Sequence, residues 1–417
     1  MLNSHICALD IGSSKLSACV AEFKNKNISR IFFESVPSKG VKEGVPVDSI
    51  ELVSCLTKLM KALREKSGLK IKYIYTNISG QDILTKHSRA IIPLAERGNK
   101  VITVSDMERV NEQARILGSN LQEEIVQALA YGYTIDSKSN IMNPLGLYSH
   151  RLEVDLYLVC TRLAAVQSLS RSIQQSGYEI KEMFFSGLAT SRVCLENKGN
   201  EGLNIFCDIG SDITELLIFR DGYLRDIEIL PVGGNNLTQI LCDELKIPFD
   251  LAEDIKKSHA VIGDSAQIKE DKEILVKKTN LYKPIKQRMV SELITQGARN
   301  ISAKIKGAIE KKLSCYEVNN FIISGRTILL EGFIETLETG ILIPVKIAKL
   351  SHPMAASLVK ENEELAGQKY LTYMTCLGIL LEAVTKRPAL TSSTAQPAKN
   401  LIFKAVNRFK EVYQEYF

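Results

Sequence analysis

The sequence contains no tryptophan, no CxxC pair, no apolar run of 18 residues and no long block of lysine or arginine. Each absence removes a class of explanation. Without such an apolar window, no segment is expected to cross a bilayer as a helix. Nine cysteines, at positions 7, 19, 55, 160, 194, 207, 242, 315 and 376, are scattered, and most sit in apolar runs. That pattern argues against a disulfide framework or a zinc site and favours a reducing cytoplasm. His87 and His150 stand alone, with no second metal-ligating residue type at a useful spacing. The net charge of +5 is spread along the chain without interleaved aromatic and basic residues, so nucleic acid is not an expected partner. The start, MLNSHICALDIG, lacks a basic region followed by a long apolar stretch and does not read as a secretory signal.

What is present is an ordinary globular composition, 45% hydrophobic and 24% charged, over 417 residues, enough for two domains. The most informative stretch is Ile205–Phe219, IFCDIGSDITELLIF. It predicts an apolar strand ending at Asp208, a turn through Gly210, Ser211 and Asp212, and a returning strand from Glu215. A carboxylate beside a glycine turn suits a metal–phosphate site. The turn N–H groups point at anions and the aspartate holds a hydrated cation.

About 200 residues earlier the chain carries an echo, ALDIGSSK against FCDIGSDI. Asp10 ends the first strand, Gly12, Ser13 and Ser14 make the turn, and Lys15 adds a positive charge. Two similar halves facing each other make a cleft. In it, Asp10, Gly12, Ser13, Ser14 and Lys15 would oppose Asp208, Gly210 and Ser211, with Asp10 and Asp208 as the metal-binding pair. Further on, Gly233, Gly234 and Asn235 open a predicted helix whose free N–H groups would favour a phosphate. Glu253, Lys256 and Lys257 share one face of a helix predicted over 248–260 and capped by Asp250. On spacing alone that triad is a solvated charged face.

The motifs ALDIGSSKLSACVAE, VPSKGVKEGVPV at 36–47, the helix predicted over 48–66 and the strand over 71–78 together resemble the actin/Hsp70/sugar-kinase superfamily. Within it they are most similar to the FtsA family of bacterial cell-division proteins, and the resemblance runs over nearly the whole chain. It implies an α/β, actin-like two-lobed ATPase fold of two RNase H-like domains. Residues 1–82 with 163–193 would form the first lobe, and 83–162 an inserted interaction subdomain. Residues 194–240 with 314–384 would form the second lobe, with 241–313 inserted in it. Residues 385–399 would be a linker and 400–417 an amphipathic helix. The resemblance implies ATP and Mg2+ as ligands and places the Glu253, Lys256 and Lys257 face over adenine and ribose. It matches NFIISGRTILLEGF at 320–333 to the adenosine motif, so Gly325 carries over while Arg326 stands where a second glycine is usual. Ser211, Asp212 and Glu215 also depart from the pattern, and Asp212 would repel a triphosphate unless a cation lay between.

Other elements are read locally. A helix over 105–117 is predicted, with Ser105 and Glu108 as a capping box. Strands are predicted over 123–136 and 151–160, a polar charged stretch over 263–283, and a buried helix over 370–384 closing the second lobe. The resemblance also implies a carboxylate or glutamine that positions the attacking water in the turn at 185–189, but Phe185, Ser186, Gly187, Leu188 and Ala189 supply neither, so hydrolysis would be slow at best.

The stretch 386–399 is rich in Pro, Ser and Thr and reads as a flexible linker. Beyond it, Ile402, Val406, Phe409, Val412 and Tyr413 fall on one helical stripe, flanked by Phe403, with Lys404 and Arg408 on or beside the other face. A terminal helix of this kind reads as a membrane-surface anchor. With the family resemblance, the expected function is an ATP-binding scaffold that polymerises on the cytoplasmic face of the membrane at the division site. It would tether the tubulin-like protein FtsZ through that protein's C-terminal peptide and recruit later division proteins. A pilus-assembly or other cytoskeletal scaffold of the same fold, or a sugar or acetate kinase, are the alternatives.

Overall fold

A computed structural model describes residues 4–24, 27–95, 98–195, 201–263, 272–278, 281–313 and 317–386. The predicted linker beyond Lys386 and the helix at 400–417 lie outside the described residues.

The chain begins with strands β1 (Ser4–Ile11), β2 (Lys15–Lys24), β3 (Asn27–Pro37), β4 (Val41–Lys42) and β5 (Val45–Pro46), then helix α1 (Ser49–Ser67) and strand β6 (Tyr73–Ile78). A second group comprises β7 (Leu84–Pro93), β8 (Lys100–Val101), α2 (Val104–Leu117), β9 (Glu123–Ile135), β10 (Lys138–Ile141), β11 (Tyr148–Ser149) and β12 (Arg151–Arg162). Next come α3 (Leu163–Gln175), β13 (Glu179–Phe185) and α4 (Ser186–Cys194). The remainder holds β14 (Leu203–Ile209), β15 (Thr214–Arg220), β16 (Tyr223–Leu230), α5 (Gly234–Leu245) and α6 (Phe249–His259). It continues through β17 (Glu273–Lys278), β18 (Leu281–Lys286), α7 (Gln287–Glu310), β19 (Val318–Ser324), α8 (Phe333–Ile341), β20 (Val345–Ile347), α9 (Pro353–Glu361) and α10 (Met374–Thr385).

The internal echo in the sequence is an echo in topology. One five-stranded sheet runs β13-β6-β1-β2-β3 and another runs β16-β15-β14-β19-β20. In each, the hairpin and the next strand pair antiparallel, and the other two strands join in parallel. The hairpins are in the same register: Asp10 faces Ser17, and Asp208 faces Glu215. Continuous apolar runs such as IFC at 205–207 fit strands buried on both faces.

The stretch between β6 and α3 makes its own four-stranded sheet, β10-β9-β12-β7, with α2 packed on β7 and β12. Val110, Ala114, Leu152, Val154 and Leu158 are among the residues of its separate core. The α2 capping box is built from Thr103 and Asp106, not Ser105 and Glu108. The Thr103 hydroxyl accepts from the Asp106 N–H at 3.3 Å, and the Asp106 carboxylate accepts from the Thr103 N–H at 3.1 Å. Thr103 keeps an extended backbone, so the helix starts one residue earlier than the spacing predicts.

Three further differences have plain causes. Asp250 does not cap α6: Pro248 holds the N-cap position and Asp250 sits in the first turn, where its charge suits the helix dipole. Part of the polar stretch predicted over 263–283 is the antiparallel pair β17–β18, whose Ile274 faces Ile285 in the core. The helix predicted to close the second lobe lies instead against β1, β2, β6 and α4 of the first sheet's side. There Cys376 Sγ donates to the Ser17 carbonyl at 3.2 Å, and Arg192 pairs with Glu382 at 3.0 Å.

Candidate functional site

Both hairpin turns open into one cavity of about 360 Å³. Each turn is closed by the same hydrogen bond, from Gly12 N–H to Lys15 O at 3.1 Å and from Gly210 N–H to Ile213 O at 3.0 Å. Asp10, Gly12, Ser13, Ser14 and Lys15 line one wall, and Asp208, Gly210 and Ser211 the other. Gly234, Asn235, Glu253, Lys256, Lys257 and Gly325 complete the lining predicted from sequence, whereas Gly233 lies behind the wall.

The first hairpin is fixed by Asn77 at the end of β6. Its side-chain oxygen accepts from Ile11 N–H at 2.7 Å, and its amide donates to Asp10 at 2.9 Å and to Ser186 at 2.8 Å. Asp10 also accepts from Ser17 at 3.1 Å and lies 3.5 Å from the Lys15 ammonium. Among the described residues no donor is hydrogen-bonded to the Asp208 carboxylate, which faces the cavity. Burial, reinforced by the negative charge of Asp10, pushes Asp208 up to about 7, against the opposing pull of Lys15.

Glu215, which departs from the family pattern, is 4% exposed and accepts a hydrogen bond from Ser79. Burial, then the charge of Asp208, raise its carboxyl to about 8. A side-chain carbon on Gly187 would lie 2.9 Å from Glu215 Oε2. A carboxyl group therefore does stand beside the start of α4, delivered from the opposite hairpin. Nothing in the local sequence at 186–187 could announce it.

These two groups set a pH dependence. In the unfolded chain both carboxyls ionise near pH 4, whereas folded they hold protons to about 7 and 8. Between those limits the folded state binds more protons, so these two carboxyls make stability fall as pH rises. Melting temperatures measured from pH 5 to pH 8 should decline, and Glu215→Gln should flatten that decline. An unchanged slope in the variant would remove Glu215 from the account.

The α5 start does not offer free donors. Gly233 N–H goes to Asn236 Oδ1 at 2.7 Å, Gly234 N–H to Gly210 O at 3.0 Å, and Asn235 N–H to Ser211 O at 2.7 Å. The helix terminus is spent holding the second hairpin, with Thr327 adding a bond to Gly210 O at 2.8 Å. On α6, Glu253 pairs with Lys256 at 2.5 Å and Lys257 at 3.0 Å. Lys256 is 4% exposed and also donates to Gly234 O and Thr238 Oγ1. Burial lowers the Lys256 ammonium against the pull of Glu253. A buried lysine with three partners is more than a solvated face. Arg326 is exposed at the rim, just after Gly325.

The profile of the SHS2 domain inserted in FtsA matches residues 80–160, and that of cell division protein FtsA matches 205–391. The chain is 24% identical over 347 residues to cell division protein FtsA of Neisseria meningitidis serogroup B, covering 82% of this chain and 83% of that protein. It is 25% identical over 386 residues to cell division protein FtsA of Bacillus subtilis, covering 91% and 83%. The chain belongs to the FtsA family.

Solved structures place this FtsA-family chain in the actin-like fold. The PilM-PilN type IV pilus biogenesis complex matches with a TM-score of 0.63 at 15% identity, over 93% of this chain and 100% of that one. The MamK double helical filament matches at 0.50 and 11% identity, over 92% and 99%. The SHS2 profile falls on the four-stranded sheet with α2, the part of this FtsA-family chain that has its own core. No helix among the described residues is long and apolar enough to cross a membrane.

Proposed function

We propose that this chain binds Mg-ATP between its two hairpins and acts as a membrane-bound polymer that anchors FtsZ at the division site and recruits later division proteins. The observation that carries the reading is the pair of matched hairpins opening into one cavity. Magnesium keeps several waters and is commonly held by one or two carboxylates together with nucleotide phosphates. Asp208, open to the cavity, and Asp10 beside it suit that role, and no cluster of three metal-ligating residues is needed or found among the described residues. Bound nucleotide would supply negative charge across both turns, and Lys15, Asp10 and Asp208 would orient it. Hydrolysis is slow in this reading, since the turn at Ser186 and Gly187 carries no residue of its own able to accept the proton of an attacking water, and nucleotide acts by shifting the two lobes toward the closed, polymer-forming arrangement.

Membrane attachment is assigned to 400–417 on sequence alone, through the apolar stripe from Ile402 to Tyr413 with Lys404 and Arg408 beside it. The test is flotation with anionic phospholipid vesicles through a density gradient in Mg-ATP. The full chain should float with the vesicles and carry FtsZ with it, and a chain lacking Asn400–Phe417 should stay at the bottom. Equal flotation of both would defeat the anchor.

A further inference from the structure

The tip of the second hairpin does something the first does not. Counting four residues from each strand-end aspartate gives Ser14 on the first hairpin and Asp212 on the second. Asp212 spans two elements. Its Oδ2 accepts the backbone N–H of Glu43 at 2.8 Å, from the loop between β4 and β5 on the opposite lobe. Its Oδ1 accepts from the Asn235 side-chain amide at 2.7 Å. The next amide of the same loop, Gly44 N–H, donates to Ser13 Oγ on the first hairpin at 3.2 Å. Glu43 holds a φ of +52°, uncommon for a residue with a side chain, and its carboxylate takes a bond from Gln81 at 2.6 Å. Asp212, Ser13 and Gly44 all line the cavity.

An anion thus already sits between the two turns, satisfied by a backbone N–H from one lobe and an amide from the other. Asp212 and Asn235 line the cavity together with Ser13 and Gly44, so a third phosphate reaching across the two turns would meet this carboxylate. We propose that Asp212 takes the place of the terminal phosphate, so that this cleft prefers a nucleoside diphosphate to a triphosphate and keeps one contact between its lobes in the absence of nucleotide. The inference rests on the nucleotide reading above and adds the phosphate-number selectivity of the site. The physical ground is simple. A diphosphate leaves the Asp212 contacts in place, whereas the third phosphate must displace the carboxylate or lie beside a like charge.

Two variants of the full chain separate the effects. Asp212→Asn removes the charge and keeps an acceptor oxygen for Glu43. Asp212→Ala removes both. Fluorescent ADP and ATP are titrated with Mg2+ into each protein. The wild type should bind ADP more tightly, and Asp212→Asn should move the ratio of affinities toward ATP by about tenfold or more while ADP affinity stays within about twofold. Hydrogen exchange in nucleotide-free protein is read in parallel at the Glu43 amide. Protection should persist in Asp212→Asn and be lost in Asp212→Ala.

An unchanged ADP-to-ATP ratio in Asp212→Asn overturns the selectivity. Unchanged protection in Asp212→Ala overturns the interlobe contact. If no variant binds either nucleotide, the cleft reading fails and the selectivity falls with it, and the exchange result then shows whether Asp212 still bridges the lobes.

Discussion

Gly378→Ala is expected to destabilise the protein by about 2–3 kcal/mol, although the same substitution elsewhere in a helix stabilises. A Cβ on Gly378 would lie 1.9 Å from the Ala189 carbonyl oxygen and 2.3 Å from its carbon, so α10 and α4 meet backbone to backbone. A carbonyl inside α4 cannot rotate away as a side chain can. The added atom must push the two helices apart and open the contacts of Leu377, Leu380 and Leu381 with the core. Gly307→Ala is the control. It sits within α7 with nothing within 4 Å of a new Cβ, and should gain about 0.5–1 kcal/mol from helix propensity alone. Denaturant unfolding of both variants reads the difference in sign. A gain in both would mean that the α10–α4 contact does not hold in solution.

The second large effect is at Gly325. Its φ of +93° and ψ of 160° fall in a region open essentially to glycine. A Cβ there would lie 2.2 Å from Ile209 O and 2.8 Å from Asp208 Oδ1. Gly325→Ala therefore strains its own backbone and drives the second hairpin away from the cavity, carrying Asp208 with it. Fluorescent-ATP titration should show a loss of tenfold or more in affinity, with a lower melting temperature. Arg326→Ala next door, at an exposed position, should leave the melting temperature unchanged. Wild-type affinity in Gly325→Ala would separate Asp208 from nucleotide binding.

Much of the cavity was legible because its parts are local. An apolar strand, Asp-Ile-Gly and a second strand specify a hairpin within a dozen residues, and two copies specify two lobes. Features that depend on distant partners were not. Asn77 is one polar residue at the end of β6, and only the fold sets it against Ile11 and Asp10. Ser79 and Glu215 are separated by 136 positions. Read against a family pattern, Asp212 and Glu215 were losses; in three dimensions each makes a contact across the lobes. The α5 terminus failed as an anion site for a related reason. Backbone donors look free in a sequence, and only a structure shows the hairpin carbonyls that take them. The α10 helix was recognised as buried from its composition, but composition does not say which sheet buries it.

That placement has a mechanical meaning. The chain leaves the described structure at Lys386, one residue past α10, and Lys386 itself is paired with Glu182. The opposite end of α10, at Met374 and Thr375, forms part of the cavity wall, and Thr372 just before it accepts bonds from Lys15 and Ser17. A helix of 12 residues is a rod of about 18 Å. A shift of this rod along its axis would therefore move Thr372 and the cavity wall together, so the seat of the first hairpin is coupled to the far end of the helix.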